Sequence, residues 1–476
     1  MQKNQKETIR AFQTTVIISF SAWLLIPLFL LMTSRCNTDE NTVYRRLRSH
    51  ADEITVINTH EHQRWPEEYG DHKFSFYHLI ALSYSMTDLI SAGSEGYDLH
   101  QLDTLTPDEC WGKYGKALDY CRNTSYYSYL IKGFRILYDF NEPYFTEKNI
   151  SLLSAQVEEK YKDYRSWFDK AFHKAGFELM FLDRSWYSWN LFKTDDVSKQ
   201  NFALVFHIDL LVSQAARKPK QGLEPDLFYK KAADEGFSIV NLNDYLAYCN
   251  HLFSENINEN KAVCLKNLLA YNRMSYYEDV PFEEAFALFN KNSAQLTPVE
   301  VKKLEDFMFH WIIRKSIEFN IPIQIHTGYF ATNGSVLENG YPLRLNNLFL
   351  KYPEAEFILF HGSFPWTGEF AALGKMFPNV YLDLVWLPQI SLEEAVHSLD
   401  VMLDCVPYNK FFWGGDCKFI EGSVGALEYG KDVVAEVLAK RVERGVLTED
   451  VARDIIGKIF RENAVTIFNL EERLEF

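Results

Sequence analysis

The sequence predicts an α/β protein, a distorted (β/α)8 barrel, from three observations. Short apolar runs alternate with longer amphipathic segments from about Asp52 onward. Eight such runs occur, separated by helical stretches, which is the number of strands in this fold. Runs such as IPIQIH and EFILFH are nearly continuous in apolar residues, as expected for strands buried on both faces. A barrel of about 250 residues with insertions accounts for a long chain of this kind.

The predicted strands follow the chain in order. They are Ile54–Asn58, Glu178–Asp183, Ala203–Asp209, Ala262–Lys266, Pro322–His326, Glu356–His361, Val380–Asp383 and Phe411–Asp416. The clearest helix precedes the fifth strand, because Thr297–Glu300 (TPVE) is a capping box with proline at the first helical position. Its apolar residues continue at helical spacing up to Glu318. A helix from about Asp432 to Arg444, capped by Gly445, and another opening at Thr448 close the chain.

The segment between the first two strands is too long for one crossover connection. About residues 63–174 contain helical, aromatic-rich sequence such as Tyr126–Phe140 (YYSYLIKGFRILYDF), with no break rich in Gly, Pro or Ser. We predict a helical insertion that packs over the mouth of the barrel. The barrel domain with this insertion is expected to comprise residues 37–476.

An N-terminal hydrophobic segment, residues 1–36, stands apart from this domain. Lys3, Lys6 and Arg10 precede Thr14–Thr33, a stretch without a charge. Roughly 20 apolar residues suffice to span a bilayer core. A signal peptide usually has a shorter apolar region, and a buried helix explains so apolar a segment poorly. We therefore expect an uncleaved membrane anchor that places the barrel on the extracytoplasmic, or periplasmic, side.

Charge and motif content restrict the partners. The chain has 49 basic and 65 acidic residues and a formal charge of −16, whereas a surface that follows nucleic-acid phosphates is positive. No GxSxG motif, P-loop or dinucleotide fingerprint occurs. The expected partners are a small-molecule substrate, which could carry a carboxylate, and the membrane through residues 14–33. Assembly into a homo-oligomer stays open.

The residues best suited to chemistry are histidines at strand ends. His60 and His62 follow the first predicted strand, and two residues at i and i+2 on a strand project from the same side. His326, His361 and Asp416 are each the last residue of a predicted strand, and in a barrel these ends meet at one mouth. Core histidines with satisfied hydrogen bonds would explain one such placement but not four. Because imidazole is the commonest metal ligand, we predict a metal site there.

These motifs resemble the amidohydrolase superfamily. The matching residues are His60-x-His62, IQIHTG around His326, FHGSFPW around His361, PNVYLDL over Pro378–Leu384 and WGGD ending in Asp416. The resemblance extends from about Ile54 to Leu470 and is greatest to the amidohydrolase-2 branch, which includes the hydrolase-like part of fungal FluG-type proteins. It implies a (β/α)8 barrel with one or two divalent metals, often zinc. We expect one firmly bound zinc ion, with a second metal as an alternative.

The resemblance also implies a role for each matching residue. His60, His62, His326 and Asp416 would bind the metal, and Asp416 would take a proton from bound water. His361 would orient the water or the developing oxyanion. The physical chemistry agrees, because a divalent metal lowers the pKa of bound water from 15.7 toward about 7 and a carboxylate can transfer the proton.

Lys266 has two interpretations. It stands where two-metal relatives carry a carboxylated lysine that bridges the metals, yet a lysine near a strand end could equally recognise an anionic substrate. Tyr271 and Arg273, just beyond it, are candidates for carboxylate or amide contacts. The alternative for both is an exposed helix surface with a solvent-facing arginine.

The predicted function is that of an enzyme, an amidohydrolase that cleaves a non-peptide, amide-like C–N bond in a small substrate. Within enzymes, the alternatives are a uronate-isomerase-like reaction on a sugar acid and a related decarboxylation. A non-catalytic barrel that binds a metal or ligand is the alternative of another class. The presence of both His361 and Asp416 favours catalysis, because a decayed site usually loses its proton-transfer groups first.

Overall fold

The computed structural model describes residues 42–184, 200–217 and 227–474. In this part of the chain, eight parallel strands lie in sequence order around one sheet. They are β1 (Val56–Glu61), β2 (Phe177–Leu182), β3 (Phe202–His207), β4 (Cys264–Asn267), β5 (Ile323–Ile325), β6 (Phe357–Leu359), β7 (Val380–Asp383) and β8 (Phe411–Phe412). The predicted (β/α)8 barrel is confirmed, and each predicted strand overlaps an observed one.

Backbone hydrogen bonds join the two ends of the sheet. The N–H of Asp416 donates to the carbonyl of His60 at 2.8 Å, and the N–H of His62 donates to the carbonyl of Cys417 at 2.9 Å. The segment after β8 therefore runs alongside β1. This closure holds Asp416 next to the two histidines, although more than 350 residues separate them along the chain.

Helices surround the barrel and form the insertion between β1 and β2. The insertion contains Phe76–Leu82, Ser85–Ser91, Leu99–Thr104, Pro107–Tyr120, Ser125–Tyr138, Glu147–Tyr161 and Tyr164–Ala175. The other helices are Val43–Glu53, Asp209–Ser213, Leu227–Asp234, Leu242–Ser254, Phe282–Phe289, Pro298–Glu318, Asn346–Lys351, Thr367–Met376, Leu387–Ile390, Leu392–Cys405, Ile420–Glu443, Glu449–Gly457, Asn463–Ile467 and Leu470–Leu474.

Local sequence explains where several helices begin. The hydroxyl of Thr297 accepts a hydrogen bond from the N–H of Glu300, and Thr448 caps the helix that follows it. The helix predicted to begin near Asp432 instead runs from Ile420 to Glu443. Its first half contains three glycines and has low helix propensity, but it is buried against the insertion and the barrel, and these tertiary contacts outweigh the propensity.

Direct contact between two helix backbones fixes the insertion to the barrel. A Cβ atom at Gly133 would lie 2.1 Å from the carbonyl oxygen of Glu421, and one at Gly425 would lie 2.1 Å from that of Tyr129. No side chain therefore fits between the helices Ser125–Tyr138 and Ile420–Glu443. The insertion also reaches the barrel mouth, because the hydroxyl of Tyr84 donates to the carbonyl of Asp416 at 2.6 Å.

We expect Gly425→Ala to lower the free energy of unfolding by about 1–3 kcal/mol, as is typical of overpacking, because the two helices must separate. Urea denaturation of the full chain measures this change. Gly112→Ala is the matched control, since a Cβ atom there meets nothing within 4 Å and glycine disfavours helices. Equal destabilisation by both substitutions would contradict the close-contact explanation.

The expected membrane anchor, Thr14–Thr33, lies outside the described residues. Within residues 42–184, 200–217 and 227–474, no helix combines the length and apolar character needed to cross a bilayer. Attachment to a membrane therefore stays a prediction about the N-terminal segment alone.

Candidate metal centre and active site

His60, in β1, and His62, which directly follows that strand, direct their Nε2 atoms toward one point. His60 Nδ1 lies 3.2 Å from Gln324 Oε1, and His62 Nδ1 donates to the carbonyl of Asp183 at 2.9 Å. The amide of Gln324 is fixed by its own donation to the carbonyl of Thr59, so its oxygen accepts from His60. Each Nδ1 therefore carries the proton and each Nε2 keeps its lone pair. Among the described residues, the buried His60 Nε2 has no hydrogen-bond partner.

Two carboxylates complete this group. Asp416 Oδ1 lies 3.1 Å from His62 Nε2 and 3.6 Å from His60 Nε2, and Asp183 Oδ2 lies 3.8 Å from His60 Nε2. One ligand atom each of His60, His62 and Asp183 lies within 4.8 Å of the others. Neutral imidazoles with carboxylates are donors suited to zinc and to other divalent first-row metals. The residues therefore fit the divalent metal that the sequence predicts.

Asp183 is a candidate ligand that the strand-end pattern contained but did not single out. It directly follows β2, so the argument used for His326 applies to it as well. Burial would raise the pKa of its carboxyl, but His207, His62 and His60 outweigh burial and hold this pKa below its usual value. Asp183 is thus an anion in the folded protein, as a metal ligand must be.

His207 positions Asp183. Its Nδ1 lies 3.3 Å from Asp183 Oδ2, and its Nε2 lies 3.5 Å from Asp209 Oδ2. Burial alone would lower the pKa of His207, but the two carboxylates outweigh burial and raise this pKa to about 10. A charged imidazole therefore bridges the two aspartates at neutral pH.

His326 and His361 contact each other through nitrogens that both lack a proton. His326 Nε2 donates to the carbonyl of Tyr329 at 2.8 Å, and His361 Nδ1 donates to the carbonyl of Val385 at 3.1 Å. Their other nitrogens, His326 Nδ1 and His361 Nε2, are 3.0 Å apart. Two lone pairs this close repel each other unless a proton or cation lies between them. Burial and the nearby Lys266 lower the pKa of both rings, which disfavours a proton and favours a metal ion.

Several residues at this end of the barrel have an unusual backbone. His361, Ser363, Trp386 and Asp416 have φ values of 65°, 49°, 64° and 58°, in the left-handed region that side chains rarely adopt. Such conformations persist only where the surrounding structure enforces them, and they concentrate at functional sites. Two of the four are the residues predicted to be catalytic.

A cavity of about 430 Å³ opens beside these groups. It is lined by His62, Arg64, Tyr69, Tyr84, Lys266, Leu268, Tyr271, His326, Ala331, Thr332, His361, Asp416 and Lys418. Of these described lining residues, three are cationic and only Asp416 is acidic. Tyr69 and Tyr84 come from the insertion, which therefore supplies part of the cavity wall.

Lys266 and Tyr271 line the cavity, as a substrate contact would require. Lys266 Nζ lies 3.3 Å from the centroid of the Phe360 ring, and burial lowers the pKa of its ammonium to about 8. The hydroxyl of Tyr271 accepts a hydrogen bond from the N–H of Ala331 at 3.0 Å. Their roles in substrate binding, or that of Lys266 as a second-metal bridge, stay predictions.

Arg273 pairs with two acidic residues of a neighbouring helix. It is not among the residues that line the cavity, and its guanidinium binds Glu305, at 3.1 Å, and Asp306. Both carboxylates belong to the helix Pro298–Glu318, which the distance along the chain hides from a sequence pattern. The arginine is thus not a solvent-facing residue, because two buried acidic groups pair with it. A contact between Arg273 and the substrate stays a prediction.

Two further cations were not indicated by the sequence. Arg64 and Lys418 both line the cavity, and each follows a candidate ligand by two positions, His62 and Asp416 respectively. Within the described part of the chain, neither forms an ion pair with an acidic side chain. The sequence signal that could have identified these two residues is their position two residues after His62 and Asp416.

This chain is similar in sequence to proteins of the amidohydrolase family. A family model described as amidohydrolase (Amidohydro_2) matches residues 300–470. Protein fluG of Emericella nidulans is 30% identical over 201 residues, which cover 40% of this chain and 23% of that protein. The chain therefore matches less than a quarter of this curated relative.

Solved structures of similar fold cover most of the chain. Uronate isomerase of Thermotoga maritima has a TM-score of 0.73 and 15% identity, over 90% of this chain and 97% of that one. Glucuronate isomerase of Caulobacter crescentus has a TM-score of 0.71 and 15% identity, over 90% and 94%. A Lactobacillus casei protein described as a metal-dependent hydrolase has a TM-score of 0.63 and 16% identity, over 90% and 98%. The family match, the similarity to fluG and the barrel fold together confirm the predicted resemblance of this chain to the amidohydrolase superfamily.

Proposed function

We propose that this protein is a metal-dependent hydrolase that cleaves an amide-like C–N bond in a small, carboxylate-bearing substrate. The observation that carries the proposal is the convergence of His60 Nε2 and His62 Nε2 with the carboxylates of Asp183 and Asp416 beside the cavity. The unpartnered, buried His60 Nε2 supports a metal ion there, and zinc is the ion we propose. The amidohydrolase family match supports hydrolysis as the reaction class.

The residues around the cavity have distinct parts in such a reaction. A divalent metal held by His60, His62, Asp183 and Asp416, with His326 as a further predicted ligand, would make water more acidic and polarise the scissile carbonyl. Asp416 can accept the proton of the attacking water and return it to the departing amine. Tyr84 holds Asp416 in place through its hydrogen bond to the Asp416 carbonyl.

The proton on His361 determines what this residue can do. Because His361 Nδ1 donates to the carbonyl of Val385, the neutral ring presents a lone pair at Nε2. It can therefore stabilise a developing oxyanion by donation only after Nε2 has gained a proton. In its neutral form, His361 is an acceptor that can orient water.

The cations of the cavity support an anionic substrate. Arg64 and Lys418 lie on adjacent segments, since the N–H of Arg64 donates to the carbonyl of Lys418 at 3.3 Å. Burial and the nearby Arg64 lower the pKa of the Lys418 ammonium, so the two positive groups destabilise each other in the free protein. A substrate carboxylate would relieve this repulsion and form charge-assisted hydrogen bonds.

We expect Lys418→Met to raise KM by about tenfold or more, because a hydrogen bond to a charged group contributes about 1.5–3 kcal/mol. The value of kcat should change much less, since Lys418 would bind the substrate's carboxylate and not the amide bond that is cleaved. Steady-state kinetics measure the effect with the substrate and with an analogue whose carboxylate is replaced by an uncharged carboxamide. The change in KM should be small for this uncharged analogue. Lys375→Met, on an exposed position of the helix Thr367–Met376, is the control. An unchanged KM would contradict carboxylate recognition by Lys418.

A uronate-isomerase-like reaction is the second candidate. The basic cavity beside the metal ligands favours it, because a sugar acid would also place its carboxylate against Arg64 and Lys418. The reactions differ in their products: hydrolysis releases ammonia or an amine, isomerisation forms a ketose, and decarboxylation releases carbon dioxide. Screening amides of small carboxylic acids and a set of uronic acids for all three products tests the proposal. Ketose formation without amine release would replace hydrolysis by isomerisation, and no product from any candidate would favour a non-catalytic barrel.

We also propose that Thr14–Thr33 anchors the protein in a membrane with the barrel on the extracytoplasmic side. The absence of charges supports this, because each charge at a helix centre would oppose insertion by roughly 2.5–3.5 kcal/mol. We expect the full-length protein to require detergent for extraction, and a chain starting at Asn37 to remain in the soluble fraction. Membrane fractionation checks this prediction. Recovery of intact protein, still beginning at Met1, in the soluble fraction would show that the anchor is wrong.

A further inference from the structure

We propose that the helical insertion contains a second divalent-metal site, formed by His72, His100 and Asp103 and suited to zinc. One ligand atom of each residue lies within 4.8 Å of the others. None of the three lines the barrel cavity. This proposal is independent of the reaction that the barrel catalyses.

The three residues come from two separate parts of the insertion. His100 and Asp103 are three positions apart in the helix Leu99–Thr104, so they lie on the same helix face. His72 lies in the loop before the helix Phe76–Leu82. The loop and the helix meet at Asp103, whose Oδ2 is 2.6 Å from His72 Nδ1. A hydrogen bond from His72 Nδ1 joins them here, and a shared metal ion would take the place of its proton and add His100 to the link.

Asp103 is held in the orientation that a metal ligand needs. Its Oδ1 accepts hydrogen bonds from the N–H of Lys73 at 3.1 Å and from His78 Nε2 at 3.2 Å. The direction of the second bond is fixed, because His78 Nδ1 accepts from the N–H of Ser75 and its proton must be on Nε2. These two donors occupy Oδ1, while Oδ2 faces His72 and accepts a hydrogen bond from its Nδ1. Metal-binding carboxylates and histidines commonly have such supporting hydrogen bonds.

No hydrogen bond of the described residues explains why the His100 side chain lies beside His72. Its ring centroid is 4.7 Å from that of His72. Within the described residues, the His100 side chain forms no hydrogen bond or ion pair. Without an ion, its position beside His72 gains no polar contact, whereas a shared metal would give each ring a ligand bond.

The distances fit zinc after a movement of the His100 side chain. Zn–N bonds are about 2.0–2.1 Å long, so two ligand atoms in a tetrahedral zinc site are about 3.4 Å apart. Because the three ligand atoms lie within 4.8 Å of one another, no distance between them has to shorten by more than about 1.4 Å. His100 is exposed and can supply this movement, while His78 and Lys73 hold Asp103 in place. Water or a further protein oxygen would complete the tetrahedron.

A metal here would stabilise one wall of the barrel cavity. The 3-10 turn Pro66–Tyr69 directly precedes the loop of His72, and Tyr69 lines the cavity. Joining this loop to the helix Leu99–Thr104 would restrict the movement of Tyr69. The site is thus structural and lies outside the reacting centre.

Zinc titration by calorimetry tests the proposal in the full-length His60→Ala/His62→Ala protein, after chelator treatment. We expect this protein to bind one zinc ion per chain. Adding His100→Ala should weaken zinc binding by more than about 100-fold. Loss of a residue that only supports a ligand weakens metal binding by roughly 10- to 100-fold, and loss of a ligand should have a larger effect. Adding His173→Ala instead, which removes another exposed histidine of the insertion, should leave the affinity unchanged.

The same substitutions in the chain with an intact barrel site provide a second measurement. There His100→Ala should reduce the zinc content by one ion per chain, and His173→Ala should not. Circular dichroism monitors folding, which replacement of the exposed His100 should not disturb. The proposal would be overturned if the His60→Ala/His62→Ala protein bound no zinc while folded, or if His100→Ala and His173→Ala had equal zinc affinity. Failure of the barrel site would show separately, as an unchanged zinc content on replacement of His60 and His62.

Discussion

Replacement of both His60 and His62 by alanine is expected to remove one metal ion per chain and to lower kcat/KM by at least about three orders of magnitude. The rate falls because, without the metal, the pKa of the attacking water returns from about 7 toward 15.7. The structural reason is that the Nε2 atoms of both histidines face Asp416 Oδ1, at 3.6 Å and 3.1 Å. Removing them takes away both imidazoles that face Asp416 and leaves its carboxylate, that of Asp183 and the predicted ligand His326 to hold the ion. Elemental analysis and steady-state kinetics measure the two effects.

The matched control is His397→Ala, which removes an exposed histidine on the helix Leu392–Cys405. This protein should keep its metal content and activity. If the double variant retained all of its metal, the assignment of His60 and His62 as ligands would be wrong. If it lost the ion but kept full activity, the metal would have a structural role and the proposed mechanism would fail.

Asp416→Asn is expected to lower kcat by about 10²- to 10⁴-fold, the usual contribution of a positioned proton-transfer group. Asparagine keeps the shape of the side chain and an oxygen that can contact the metal, but it cannot accept the proton. The effect should therefore appear in kcat with a smaller change in KM, and without equal loss of metal. Pre-steady-state kinetics of product release show whether the chemical step has become limiting.

Asp450→Asn provides the control, because Asp450 is exposed at the start of the helix Glu449–Gly457, far from Asp416 in sequence. Its activity should equal that of the unaltered protein. A loss in Asp416→Asn of less than about tenfold would assign proton transfer to another group, since general acid–base catalysis normally contributes more than this. Asp183, also a carboxylate of the metal group, would then be the next candidate.

Sequence periodicity was sufficient to predict the barrel because the signals for its elements are local. A strand buried on both faces is apolar along its whole length, as in β5 and β6, and the capping box at Thr297 specifies a helix start within four residues. The helix Ile420–Glu443 shows the limit of such signals. Its glycine-containing first half is helical because it packs against the helix Ser125–Tyr138, a contact with a distant part of the chain.

By itself, the sequence determined the eight strands and the insertion. It also determined which residues meet at the barrel mouth, since parallel strands bring their carboxyl ends together there. These residues are His60, His62, His326, His361 and Asp416. Only the tertiary structure decided how these side chains are used. It brought Asp183 close to His60 and placed the lone pairs of His326 and His361 against each other. It also paired Arg273 with acidic residues outside the cavity. The reason is physical: a sequence pattern shows which strand end carries a group, whereas the orientation, hydrogen-bond partners and charge of that group depend on residues hundreds of positions away.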